Sequence, residues 1–163
     1  MPVKNLRIDS QYGIKYNTTM SIPRLVLDTS VWISALRSRR GASFRLLSLI
    51  ASGSYESAIS VPLILEYEAV GKRRAHAAGL MHDDIDDLID YICLVSKRQD
   101  IFYLWRPFLR DYGDDLVLEL AVAADCDAIV THNIRDFEGV EKQFQIAIWT
   151  PQQALHRIGE EKK

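Results

Sequence analysis

Residues 24–28 read RLVLD, an apolar run that stops on a carboxylate and passes at once into TSVW. A near-continuous apolar run is how a strand buried within a parallel sheet reads. In open α/β sheets, the groups that do chemistry sit just beyond the carboxyl ends of such strands. Asp28 therefore stands at a working position, and the rest of the chain must supply the sheet around it and the partners beside it.

The following segments alternate in the way that position demands. Residues 30–37 (SVWISALR) predict a helix opened by Thr29 or Ser30 as N-cap. Residues 42–52 carry Phe44, Leu47 and Ile50 at helical spacing and stop at Gly53. SAISV (57–61) predicts a short strand, and Pro62 opens the next helix at its favoured first position. A helix over 82–96 places Ile85, Leu88, Ile89 and Ile92 on one stripe. DIFYLW (100–105) predicts a strand, 114–124 a very apolar helix, 128–133 (AIVTHN) and 145–149 (QIAIW) strands, and 151–158 a closing helix. Strands alternating with helices predict an α/β fold: a three-layer α/β/α arrangement with a mostly parallel sheet flanked by helices. The expected organisation is one domain over 21–163, within the usual size for a single core. Residues 1–20, polar and weakly patterned, form an arm outside it; Met20 begins a segment that would itself serve as a start.

Composition narrows the partners. The formal net charge is −2, so no global basic field advertises nucleic acid, and any such contact needs a local patch. Cys93 and Cys126 match no metal spacing and predict two reduced, buried thiols in a cytoplasmic protein. No apolar run approaches the roughly 20 residues that span a bilayer.

Several acids fall where a purely structural protein has little use for them. Glu66 shares a helical stripe with Leu63, Tyr67 and Val70, so its carboxylate leaves from an apolar face, which is costly without a partner. Glu68 points elsewhere and pairs with Lys72 four residues on. Asp111, Asp114 and Asp115 crowd together before a buried helix, where a cap needs only one acid. Asn133 ends a second apolar strand as Asp28 ends the first, and Asp136 follows closely. Taken singly, each has an ordinary explanation as cap, dipole partner or turn residue. Taken together, oxygen ligands without cysteine or a histidine pair suit a hard cation, Mg²⁺ or Mn²⁺. Such sites activate water and steady a phosphate in transit.

At this point the residues resemble a family. RLVLDTSVWISAL, VPLILEYEAV, DYGDDLVLELAVAADCDAIVTHNIRDF and IAIWTP, in that order over roughly 24–155, are similar to a PIN domain, and most of all to the VapC-like toxin components of bacterial toxin–antitoxin systems. The resemblance matches Asp28 to the family's first acid, Glu66 to its second and Asp114 to its third, with Asp115 the close rival. The fourth acidic position, an Asp in a VT-x-D pattern, is held by Asn133, a departure that removes one charge; Asp136 is the acid at hand to stand in for it. Ser30 matches a position that steadies the site by hydrogen bonding.

What the resemblance implies is a metal-dependent endoribonuclease acting on single-stranded RNA, homodimeric, and restrained by a cognate antitoxin. Mg²⁺ or Mn²⁺ would be held by Asp28, Asp114 and Asp136, with Glu66 completing the catalytic set. Candidates for gripping RNA are Arg37, Arg39 and Arg40 after the first helix and Lys72, Arg73 and Arg74 after the Glu66 helix. Trp32, at helical spacing from Leu36, is expected in the core. A haloacid-dehalogenase-type phosphatase needs an acid where Ser30 stands, and a receiver domain needs paired acids at its first strand; neither pattern is met. The remaining rival is a non-catalytic PIN-like module that binds RNA or a protein partner.

Overall fold

The computed structural model describes residues 21–159, so the arm expected over 1–20 lies outside the described residues. Strands β1 (Arg24–Leu27), β2 (Glu56–Ile59), β3 (Lys97–Arg98), β4 (Ala128–Val130) and β5 (Ala147–Trp149) form a five-stranded sheet ordered β3-β2-β1-β4-β5. Every neighbouring pair is parallel. The helices are α1 (Thr29–Arg37), α2 (Ala42–Ser48), α3 (Val61–Ala75), α4 (His82–Val95), α5 (Tyr112–Ala123), α6 (Val140–Phe144) and α7 (Pro151–Arg157).

The strand order follows from connection handedness. From β1 the chain steps through β2 to β3 in one direction, and right-handed crossovers place the intervening helices on one face. The chain then returns to the other side of β1 as β4 and continues to β5, which puts α5 and α6 on the opposite face. The contacts agree: α1 packs on α2 and α3, α3 on α4, and α2 on α7, whereas α5 lies against β1, β2 and β4. The expected three-layer parallel fold is the one observed.

Both central strands are buried on both faces, as their apolar runs required. Leu25, Val26, Ala128, Ile129 and Val130 are each 0% exposed. Trp32 is in the core as expected, stacked on Tyr67 with its indole N–H donating to the Tyr67 carbonyl at 3.0 Å. Gly71 lets α3 approach this cluster. A Cβ there would stand 2.9 Å from Ile85 Cγ2 and 3.3 Å from Trp32 Nε1. Gly71→Val therefore overpacks a tight three-helix contact and should cost about 2–3 kcal/mol, read as a lower denaturation midpoint with an unchanged slope.

Several expected elements are corrected. Residues 100–105 are not a strand: the edge strand is only Lys97–Arg98, and Phe102, Tyr103 and Leu104 are exposed. The Gln99 N–H reaches the Ile59 carbonyl at 2.8 Å, after which no further pairing to β2 occurs. Aromatic and β-branched content suggested a strand, but that preference expresses packing against neighbours, and these side chains have few. Helix α2 ends at Ser48 rather than 52; a series of turns carries the chain to Gly53 at φ 82°, while Ile50 still packs in the core. β4 ends at Val130, not 133, and α6 was not foreseen. Of the two thiols, Cys126 is buried but Cys93 is exposed on α4.

Candidate active site

The sheet reverses its winding between β1 and β4, and the crossovers leaving these two strands go to opposite faces. A crevice opens at such a switch point, at the carboxyl ends of the strands. Leu27 pairs with Val130, so the next residues, Asp28 and Thr131, come to lie side by side. Asp28 is fixed by its main chain: its N–H donates to the Val130 carbonyl at 2.9 Å, and its carbonyl accepts from the Val31 N–H at 2.9 Å. It is thus Asp28, in extended conformation, that caps α1, and not Thr29 or Ser30 as expected. The two hydroxyls are used elsewhere.

Asp28 is 6% exposed, and its Oδ2 accepts from Ser30 Oγ at 2.6 Å and Thr131 Oγ1 at 2.8 Å. A buried carboxylate needs such donors. Each hydroxyl in turn accepts a backbone N–H from the next loop, His132 onto Ser30 at 3.1 Å and Asn133 onto Thr131 at 2.9 Å. His132 Nε2 and Ser43 Oγ, 2.7 Å apart, tie that loop to α2. Beneath Asp28, the Tyr67 hydroxyl donates to the Leu27 carbonyl. Burial first, then the charge of Asp28, holds this phenol protonated.

Glu66 is half-buried on α3, between the buried Leu63 and Tyr67, and its Oε1 accepts from Thr29 Oγ1 at 2.7 Å. Its carboxylate also faces the start of α5, where a Cβ on Gly113 would lie 3.6 Å from Glu66 Oε1 and 3.0 Å from Asp111 Oδ1. Asp111 caps α5 by accepting the Gly113 N–H at 2.7 Å. Asp114, in the first turn, is pushed up to about 7 by burial, then by the charges of Asp28, Asp111, Asp136 and Glu66. Four acids, from the ends of β1 and β4 and from α3 and the cap of α5, therefore act on Asp114 in this crevice.

The raised Asp114 carboxyl has a thermodynamic sign. The unfolded chain releases this proton near pH 4, whereas the folded protein keeps it until about 7. Metal-free stability therefore falls as pH climbs through that window and levels off above it. Asp114→Asn removes the slope and should raise the melting temperature at pH 8 in chelator by a few degrees. That corresponds to roughly 1–2 kcal/mol, because solvent screens a half-exposed group.

The other expected residues fall into two groups. Asp136 lies exposed on a 3₁₀ turn (Ile134–Phe137) that the exposed Asn133 precedes, and its charge reaches Asp114. Asp115, the rival to Asp114, is 2% exposed and turned to the loop before α5, accepting the Leu109 N–H at 2.9 Å. The basic candidates are not brought to the crevice. Arg37 closes α1, about 12 Å along the helix from its start beside Asp28, and the exposed Arg40 lies beyond it. Lys72 is engaged by Glu68 and Asp86, each at 2.7 Å, joining α3 to α4, and Arg73 lies two turns past Glu66.

Thr29, Asp111 and Thr131 were not assigned to the site from sequence. Thr131 had a legible signal: AIVT set beside RLVLD in register puts its last residue opposite Asp28. Among the described residues, no three His, Cys, Asp or Glu side chains are drawn together into a metal-holding group. The acids meet electrostatically, without a closed coordination shell. Their chemistry nevertheless fits a hard cation, since carboxylate oxygens that raise one another's energy are relieved by a divalent charge.

A doubly wound parallel sheet with carboxylates facing its switch point defines an α/β protein with an acidic crevice. A family model for the PIN domain matches residues 24–135, and the chain belongs to the PIN domain family. Its fold is similar to that of a chain in the crystal structure of VapBC2 from Rickettsia felis bound to a DNA fragment from their promoter. The TM-score is 0.53 and the sequence identity 16%, over 77% of this chain and 96% of that one. None of the curated proteins compared matches the chain.

Proposed function

We propose that this protein is a divalent-metal-dependent endoribonuclease that hydrolyses single-stranded RNA, and that it is the cytoplasmic, homodimeric toxin of a toxin–antitoxin pair. The observation that carries the reading is that burial and the charges of Asp28, Asp111, Asp136 and Glu66 together raise the Asp114 carboxyl at the switch point. Membership of the PIN domain family supports it. A structural relative found with VapBC2 on promoter DNA supports an antitoxin as partner. Among the described residues no helix is long and apolar enough to cross a membrane.

Asp28, Asp114 and Asp136 would hold Mg²⁺ or Mn²⁺, with Glu66 and Asp111 beside them. When bound, the metal supplies a lowered pKa for attacking water and charge stabilisation for the phosphate and leaving oxygen. The chain's own residues do the rest. Ser30 and Thr131 fix the Asp28 carboxylate, Thr29 fixes Glu66, and the Gly113 N–H fixes Asp111, so the acids need little reorganisation before reaction.

Asn133, neutral in the loop beyond β4, favours a second reading, a PIN module that binds RNA or protein without cutting. One assay separates the two: purified protein with Mg²⁺ or Mn²⁺ cleaves labelled single-stranded RNA, and chelator stops it. Absence of both cleavage and calorimetric metal binding leaves the binding module.

A further inference from the structure

The segment that enters α5 runs back along the whole helix. Trp105 shares a pocket with Val122 and Ala123 at the far end; Arg106 pairs with Glu119; Leu109 bonds Asp115; Asp111 caps the start. This strap leads to the acidic crevice over about 16 Å, the length of α5. Residues 98–112 hold five aromatics and three arginines, of which Arg98 pairs with Asp100 and Arg106 with Glu119. Phe102 is 83% exposed, Tyr103 78% and Tyr112 62%.

Tyr112 opens α5, two residues before Asp114, on the stripe that Asp115 and Glu119 share. The Arg106 guanidinium lies over its ring, 4.2 Å from the centroid. That guanidinium is itself held by two bonds, 2.7 and 2.9 Å, to Glu119, which is 1% exposed. A fixed aromatic ring with an exposed surface is what base stacking requires, because every base has a π-face. The crevice needs such a grip. Its carboxylates repel phosphates, and the basic residues at the ends of α1 and α3 lie well away from it.

We propose that the strap over residues 98–112 is a track for single-stranded nucleic acid, with Tyr112 stacking a base next to the acidic crevice and Arg106 positioning the ring. This rests on the nuclease reading for its substrate class. Exposed aromatic faces beside Arg110, which among the described residues is not drawn into an ion pair as Arg98 and Arg106 are, favour an unpaired nucleic-acid strand over a purely apolar protein partner. The pocket walled by Phe102, Tyr103 and Trp105 takes a base further along the strand.

The test uses the full chain carrying Asp28→Asn, which binds without cutting, and a labelled single-stranded RNA of about 12 nucleotides. Fluorescence anisotropy should show Tyr112→Ala raising Kd roughly tenfold or more, while Tyr112→Phe stays near the parent and a duplex of the same sequence binds worse. Circular dichroism checks that Tyr112→Ala remains folded. Equal Kd for parent and Tyr112→Ala overturns the proposal. So does a protein whose dimer dissociates on Tyr112→Ala without any change in RNA binding, since the aromatics then serve self-association. The two readings fail separately. RNA binding that depends on Tyr112, in a wild type that cuts nothing, keeps the track and removes the nuclease. Cleavage whose KM ignores Tyr112→Ala does the reverse.

Discussion

If the protein is the nuclease proposed, Asp28→Asn should abolish RNA cleavage, by about 10³-fold or more, while the protein stays folded. The structural case for survival is that Asp28 anchors the fold through its main chain, which the substitution leaves alone: the N–H to Val130 and the carbonyl that caps α1. The amide oxygen of Asn still accepts from Ser30 and Thr131, which now donate to Oδ2. The case for lost activity is that a buried acid at the switch point would be the deepest ligand of the cation, and charge stabilisation of a phosphoryl transition state is the largest single term such sites supply. Removing one of five mutually repelling charges should leave thermal stability unchanged or slightly raised. The measurement is initial cleavage rate on labelled single-stranded RNA, paired with a thermal melt. A variant that melts normally and cuts at the wild-type rate would remove Asp28 from the chemistry.

Arg106→Met produces the largest loss of stability expected for a single change outside the core. Glu119 is 1% exposed and takes both its bonds from Arg106, at 2.7 and 2.9 Å. Deleting the cation leaves a buried carboxylate without its partner, which costs about 3–5 kcal/mol. For a chain of this size that lowers the melting temperature by roughly 10 °C or more. The double change Arg106→Met with Glu119→Leu should recover most of the loss, because an apolar pair of similar volume replaces a buried ion pair at little cost. A single variant as stable as wild type would mean that water or another donor already serves Glu119.

The central sheet was legible because its strands announce themselves. RLVLD and AIVT each carry a short apolar run that ends on a polar residue, as a strand buried in a parallel sheet does. The acids were legible for a related reason: Asp28, Glu66 and Asp114 each interrupt an apolar pattern that has no need of them. What local pattern could not convey was side-chain direction around one helix start. Asp114 and Asp115 are adjacent in sequence, yet one turns to the crevice and the other to the loop before α5, and only the path of residues 105–111 decides which. The false strand over 100–105 shares that origin. Its residues have strand-forming side chains, but the sheet ends at a two-residue charged edge and offers them no neighbour. The basic residues misled because proximity in sequence to an acid on a helix means distance from the crevice once the helix runs away from it.

The placement of β4 beside β1 has a consequence for synthesis. Thr131 meets Asp28 across 103 residues of chain, and Asp114 arrives on the segment just before. A nascent polypeptide that has emerged only through β3 holds Asp28 and Glu66 with neither the second wall of the crevice nor its remaining acids. Domains fold as their chains leave the ribosome, amino end first. The site therefore stays incomplete on the ribosome until the chain has emerged beyond β4.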